Sequence, residues 1–128
     1  MEIQQITLEL SAEDYAVSRL AAEAALPAWA DGAGFVSICR SAYELSIVCL
    51  AQRVPTDIIS ERDWVCYRFV GPFAFGATGI VLSVVRPLSE NGIGVFVVST
   101  YDGDHLLIKR HDMPCANILL REAGHTLC

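Results

Sequence analysis

The run from Gly71 to Asp112, GPFAFGATGIVLSVVRPLSENGIGVFVVSTYDGDHLLIKRHD, constrains this chain more than any other stretch. It opens on a glycine-rich loop (Gly76, Gly79) and continues through apolar positions Ile80, Val84 and Leu88, spaced four apart as on one helix face. It stops at Asn91-Gly92 and closes with two apolar runs joined by a polar turn. Loop, helix, strand, turn and strand make up most of one βαββαβ unit, in which an antiparallel sheet carries its helices on one face.

The flanks extend that unit. Trp64–Val70 is rich in strand formers and is closed by Gly71-Pro72, which cannot continue a ladder. The helix is predicted from about Thr78 to Asn91. Pro87 has no N–H for the Ser83 carbonyl, so a kink or an early 3₁₀ finish is expected there. Ile93–Val98 is apolar on both faces, which predicts a central strand with a helix on one side and another module or subunit on the other. Asp102-Gly103 is a turn signal and His105–Lys109 the returning strand. Asp112 is placed to cap a second helix with Ala116, Leu119, Leu120 and Ala123 on one face, and Gly124 stops it before a last short strand.

The first half is less regular. Ile3, Ile6, Leu8 and Leu10 predict a strand. Ser11 to Asp14 can cap an Ala-rich helix through Leu26, yet the alternation around Tyr15 and Val17 also permits a strand. Asp31–Gly34 is a loop, and Phe35–Arg40 with Leu45–Leu50 reads as a hairpin. The polar stretch 51–63, containing Pro55, is the natural boundary between two halves, 1–60 and 61–128.

Composition excludes several classes. With 53% hydrophobic and 19% charged residues the chain is expected to fold rather than stay disordered. A net charge of −6, with Lys109-Arg110 the one adjacent basic pair, argues against nucleic acid as a partner. No apolar run approaches the ~20 residues of a membrane span, and the start lacks a basic leader, so a cytoplasmic location is expected. The five cysteines lack C-x-x-C spacing, and Cys39, Cys49 and Cys66, in apolar strand-like runs, are expected to be buried free thiols. His105, His111 and His125 have no metal spacing, and no nucleophile elbow or Walker loop is present, so neither enzyme activity nor a cofactor is expected.

Three places invite a ligand. Gly76-Ala77-Thr78-Gly79 leads into a helix, whose free N–H groups and dipole favour a carboxylate; alternatively the glycines only permit a tight turn with Thr78 as cap. Gly94 inside an apolar run marks either a bulge or a close approach. Asp102 and Asp104, at a strand end, form either a seat for an ammonium or guanidinium group or a solvated turn.

The motifs T-G-I at the helix start, P-L near its end and V-S-T-Y-D-x-D after the next strand resemble the C-terminal module of small bacterial tandem ACT-domain proteins, which are related to the ACT domains of the cytosolic arginine sensors of the mTOR pathway. The resemblance implies an α+β fold of two ferredoxin-like (βαββαβ) ACT modules in tandem, the first irregular, with a strand at Tyr15–Leu20 and a helical turn near Pro27–Trp29. It also implies a homodimer and a non-catalytic sensor of a small molecule, most simply an amino acid; an assembly module without a ligand is the alternative. In ACT domains an effector sits where one module's loop and helix start face the helix-to-strand turn of a neighbour. Carried onto this chain, that implicates Gly76, Thr78, Gly79 and Ile80 on one side, and Asn91, Gly92, Ile93, Gly94 and Val95 on the other. The departures from the family at Ala74, Gly76, Gly94, Gly103 and His105 leave the ligand's identity open.

Overall fold

The computed structural model describes residues 4–71, 73 and 78–128. Among these the elements run β1 (Thr7–Leu20), β2 (Ser37–Arg40), β3 (Leu45–Leu50), β4 (Ser60–Phe69), α1 (Ile80–Ser89), β5 (Phe96–Ser99), β6 (Asp104–Lys109), α2 (Met113–Glu122) and β7 (Thr126–Leu127), with 3₁₀ turns at Ala28–Ala30, Ala51–Arg53 and Arg110–Asp112. They form two compact units, Met1–Ala12 with Val65–Cys128, and Glu13–Trp64. The single cut expected at 60/61 differs from this division. The chain crosses twice, inside β1 and inside β4, because Leu8 packs with Val65, Tyr67 and Phe69 in the core of the larger unit.

In the larger unit β4, α1, β5, β6, α2 and β7 follow the βαββαβ order, with the first residues of β1 inserted: its strand order is β7-β1-β4-β6-β5. Thr7 and Leu8 pair parallel with Thr126 and Leu127, and Phe96–Ser99 pairs antiparallel with Asp104–Leu107. Alternate residues of β4 (Val65, Tyr67, Phe69) and β6 (Leu106, Ile108) join Val84 and Leu88 of α1 and Ala116 and Leu120 of α2 in one core, so both helices cover the same face. β5 ends this order, so Ile93–Val98 is not a central strand. It becomes extended only at Phe96, and Val95–Val98 are half-buried.

Helix α1 continues as α-helix through Pro87 to Ser89. The Ser83 carbonyl that Pro87 cannot serve lies 2.8 Å from Nε2 of His125, a buried residue. The other ring nitrogen, Nδ1, accepts the Ile6 N–H at 3.2 Å, which places the ring proton on Nε2 and makes it the donor to Ser83. Both helices then end alike. The N–H groups of Gly92 and Ile93 donate to the Ser89 and Leu88 carbonyls, and those of Gly124 and His125 donate to Arg121 and Leu120. With φ of 76° at Gly92 and 96° at Gly124, these are Schellman motifs in which the second residue packs back on the helix. Asp112 precedes α2 but makes no side-chain cap bond; its carboxylate lies 3.5 Å from His111.

In the smaller unit the strand order is β2-β3-β1-β4, with Tyr15–Leu20 pairing antiparallel to Leu45–Leu50. Residues 11–20 are strand, not helix, since Tyr15, Ala16 and Ser18 are buried and the Tyr15 hydroxyl accepts the Phe35 N–H at 3.0 Å. Ala16, Ala30, Leu45, Ile47, Cys49 and Val54 form its core. Among the described residues this unit has 3₁₀ turns and no α-helix. The polar stretch 51–63 is a built turn: Arg62 donates to the carbonyls of Ala51, Val54 and Pro55 at 3.1, 3.1 and 3.3 Å. Cys49 and Cys66 are buried, and burial raises both thiols, Cys66 to about 12, but Cys39 is exposed on β2, contrary to expectation.

Two stability predictions follow from these helix ends. His125→Ala strands the Ser83 carbonyl and the Ile6 N–H, and should cost about 3 kcal/mol in urea unfolding. In a Pro87→Ala background, where residue 87 regains its N–H for Ser83, the loss should shrink by about 1 kcal/mol; strict additivity would refute the proposed division of labour. Gly92→Ala should cost about 1–2 kcal/mol and Gly94→Ala less than about 0.5. An added Cβ meets nothing within 4 Å at either position, so only the left-handed φ of Gly92 separates them.

Candidate ligand-binding site

At the start of α1, Gly79 has a φ of 80° and accepts the Ser83 N–H at 3.0 Å. Gly79, not Thr78, is therefore the N-cap, and no side-chain cap bond is made there. A ten-residue helix thus begins on backbone N–H groups not covered by a capping side chain, with Thr78 exposed beside them. Gly76 lies outside the described residues.

The hairpin between β5 and β6 supplies the opposite wall. The Thr100 N–H and hydroxyl both donate to the Gly103 carbonyl, at 2.7 and 2.9 Å, closing the turn Thr100–Gly103. Ser99 donates its hydroxyl to Oδ1 of Asp104 at 2.5 Å, across a directly paired position. Asp104 shares the strand parity of Leu106 and Ile108, so it belongs to the helix-covered face. His105 belongs to the other face, and Asp102 is exposed at the turn itself.

These two walls meet. Gly79, Ile80, Val81 and Leu82 of α1, Phe73, and Ser99 to Asp104 of the hairpin line one open cleft of about 390 Å³. It has helix N–H groups at one end and carboxylates at the other. The structure therefore brings Gly79 and Ile80 together with Asp102 and Asp104. It places Asn91, Gly92, Ile93, Gly94 and Val95 at the far end of α1, about 15 Å away for ten residues of helix. Within one copy these two groups do not share a cleft. Gly92 serves the helix stop and Ile93 is a core residue, whereas Gly94 precedes β5 and is exposed, so the idea of a bulge inside the strand falls away.

Sequence reasoning missed Leu82 and Tyr101, which line the cleft and are 39% and 83% exposed. Both are large apolar side chains at positions the helix and turn patterns leave facing out, and that was the available signal. It also missed the far side of the same hairpin, where Arg68, His105 and Asp102 line a second cleft of about 490 Å³. Arg68 donates through Nε and Nη2 to the Glu9 carboxylate at 3.3 and 3.2 Å, and this pairing holds Glu9 below and Arg68 above their ordinary ranges. Burial lowers the pKa of His105, and the Arg68 charge lowers it further, against an opposing pull from Asp104. Among the described residues no three His, Cys, Asp or Glu side chains are grouped to hold a metal, and no helix is long and apolar enough to cross a membrane.

The sequence profile of the ACT domain matches residues 59–122, half of the chain, and a separate profile described as an N-terminal domain matches residues 13–57. A crystal structure of the protein Atu0741 from Agrobacterium tumefaciens is 55% identical, with a TM-score of 0.93 over 98% of this chain and 93% of that one. The bovine cytosolic arginine sensor for mTORC1, subunit 1, is 32% identical over 60 residues, which are 43% of this chain but 18% of that protein. The human protein CASTOR3P is 33% identical over 63 residues and is covered to 39% of its length, so the chain spans well under half of these two relatives. Aspartate kinase from Clostridium acetobutylicum shares the fold at 13% identity, with a TM-score of 0.67 over 97% of this chain and 36% of that one.

The lowered His105 pKa carries a pH prediction. The folded state takes up its proton below the 6.5 of an ordinary imidazole, so the unfolded chain binds more protons just under that pH. Stability from His105 is complete above about pH 6.5 and is lost as the pH falls through the folded pKa. Urea midpoints compared at about pH 7.5 and 5.5 should fall less in His105→Gln than in the wild type. Equal slopes would show that His105 is not the group responsible.

Proposed function

Because the chain belongs to the ACT-domain family, we propose that it is a non-catalytic regulatory protein that senses a small molecule, an amino acid, in the cleft between α1 and the β5–β6 hairpin. The observation that carries this reading is the polarity of that cleft. Backbone N–H groups without a side-chain cap at Gly79 and Ile80 favour the α-carboxylate, and Asp104, with Asp102 at the rim, favours the ammonium. Both ends of a zwitterion are thus matched from one unit. The bovine relative named as an arginine sensor and the aspartate kinase described as an allosteric enzyme support a regulatory role.

On this reading the two units act as ACT-like modules in tandem, and the site is completed by a second copy. The turn Asn91–Val95 is too far along α1 to reach a ligand held at Gly79 of the same chain, so it would close the cleft of a neighbour in a homodimer. Half-buried Phe96–Val98, at the end of the strand order, gives that neighbour an apolar edge to meet.

A thermal-shift series over the common amino acids tests the reading. At a hundredfold excess over its Kd the cognate amino acid should stabilise by about 2.7 kcal/mol, moving Tm by several degrees. Its decarboxylated amine should not. Gly94→Trp, at an exposed position with open space around it, should leave the fold intact, abolish the shift and reduce the dimer seen in sedimentation. If no amino acid stabilises the protein at millimolar concentration, the sensor reading fails and an assembly module without a ligand takes its place.

A further inference from the structure

The cleft on the other side of the hairpin shares Thr100, Asp102, Gly103 and Asp104 with the one at α1. It differs in its other walls, Arg68, Phe69 and Gly71 at the end of β4 and His105 on β6. Its volume of about 490 Å³ lies within the range of sites for small organic ligands. Its lining carries a guanidinium at the strand end, two carboxylates on the hairpin, and an imidazole whose neutral form is favoured by burial and by Arg68.

Arg68 is a prepared group. Glu9 engages Nε and Nη2, which fixes the side chain, and the two donors of Nη1 lie outside that pair. A guanidinium positioned in this way can accept a second carboxylate without being reoriented. Opposite it Asp102 is exposed at the turn, while Asp104 has the strand parity of the helix-covered face. Both carboxylates line this cleft as well as the one at α1.

We propose that this second cleft is a binding site for a small dipolar molecule of the amino-acid class, its carboxylate on Arg68 and its ammonium on Asp102, with His105 in the wall beside it. The site lies wholly in the larger unit; it shares Asp102 with the cleft at α1 but holds the carboxylate on Arg68 rather than on the helix start.

Isotope-labelled protein titrated with each common L-amino acid to about 10 mM tests it, the ring resonances of His105 reporting on this cleft and the Thr78 and Ile80 amides on the other. At least one amino acid should move the His105 ring saturably, and its decarboxylated amine should bind at least about tenfold more weakly. Arg68→Met should weaken binding by a similar factor. Leu82→Glu, at a residue that lines only the α1 cleft, should leave the His105 response unchanged. The proposal is overturned if no amino acid moves the His105 ring, if the amine binds as well as the amino acid, if Arg68→Met binds as tightly as the wild type, or if Leu82→Glu abolishes the response. Since the two clefts have separate reporters, failure of one reading leaves the other standing.

Discussion

One buried imidazole holds the larger unit in register. The ring of His125 donates to the Ser83 carbonyl inside α1 and accepts the Ile6 N–H before β1, while its own backbone N–H closes the end of α2 on Leu120. Without the ring two backbone groups, the Ser83 carbonyl and the Ile6 N–H, would be left with unmet hydrogen-bonding demand in a low-dielectric interior, where each such group costs on the order of 1–3 kcal/mol. Both ring nitrogens are used, so the ring has a single tautomer and orientation that satisfy the site. A side chain of similar size without two opposed nitrogens cannot replace it.

The placement of the candidate site depends on this contact. Pro87 removes one rung of α1, and in an unsupported helix the axis would bend there. Because His125 occupies the vacated carbonyl, the helix stays regular to Ser89 and ends in a left-handed Gly92 with Ile93 folded back on Leu88. A regular α1 points its uncapped start at the β5–β6 hairpin and its finish away from it. The opposed ends of the cleft, amide and carboxylate, follow from helix direction and from the strand parity of Asp104.

Local signals in the sequence were accurate where the physics is local. Gly92 and Gly124 as stops, the apolar face of α1 and the tight turn at Asp102-Gly103 depend on residues within a few positions of one another. The errors arose where the deciding partner is distant in sequence. The consequence of Pro87 turns on His125, and the edge position of β5 is set by the order of strands, which an apolar run cannot specify. The residues alone left helix and strand open at Tyr15–Leu20, and pairing with Leu45–Leu50 decides for the strand that the resemblance implied. Arg68 escaped notice for the same reason, since a lone cation in a strand gains meaning only from Glu9, Asp102 and His105 around it.

The way the chain crosses between its units has a bearing on synthesis. Glu13–Trp64 is contiguous, so everything its core requires has left the ribosome once residue 64 is free of the exit tunnel. The larger unit pairs Thr7 with Thr126 and ties Ile6 to His125, contacts spanning nearly the whole chain. Its first strand must therefore wait, unpaired on that side, while every other element is made, and its closure carries the large loop entropy that slows folding. During translation all of Glu13–Trp64 is made before Thr126 and Leu127, and until then Thr7 and Leu8 lack their parallel partners.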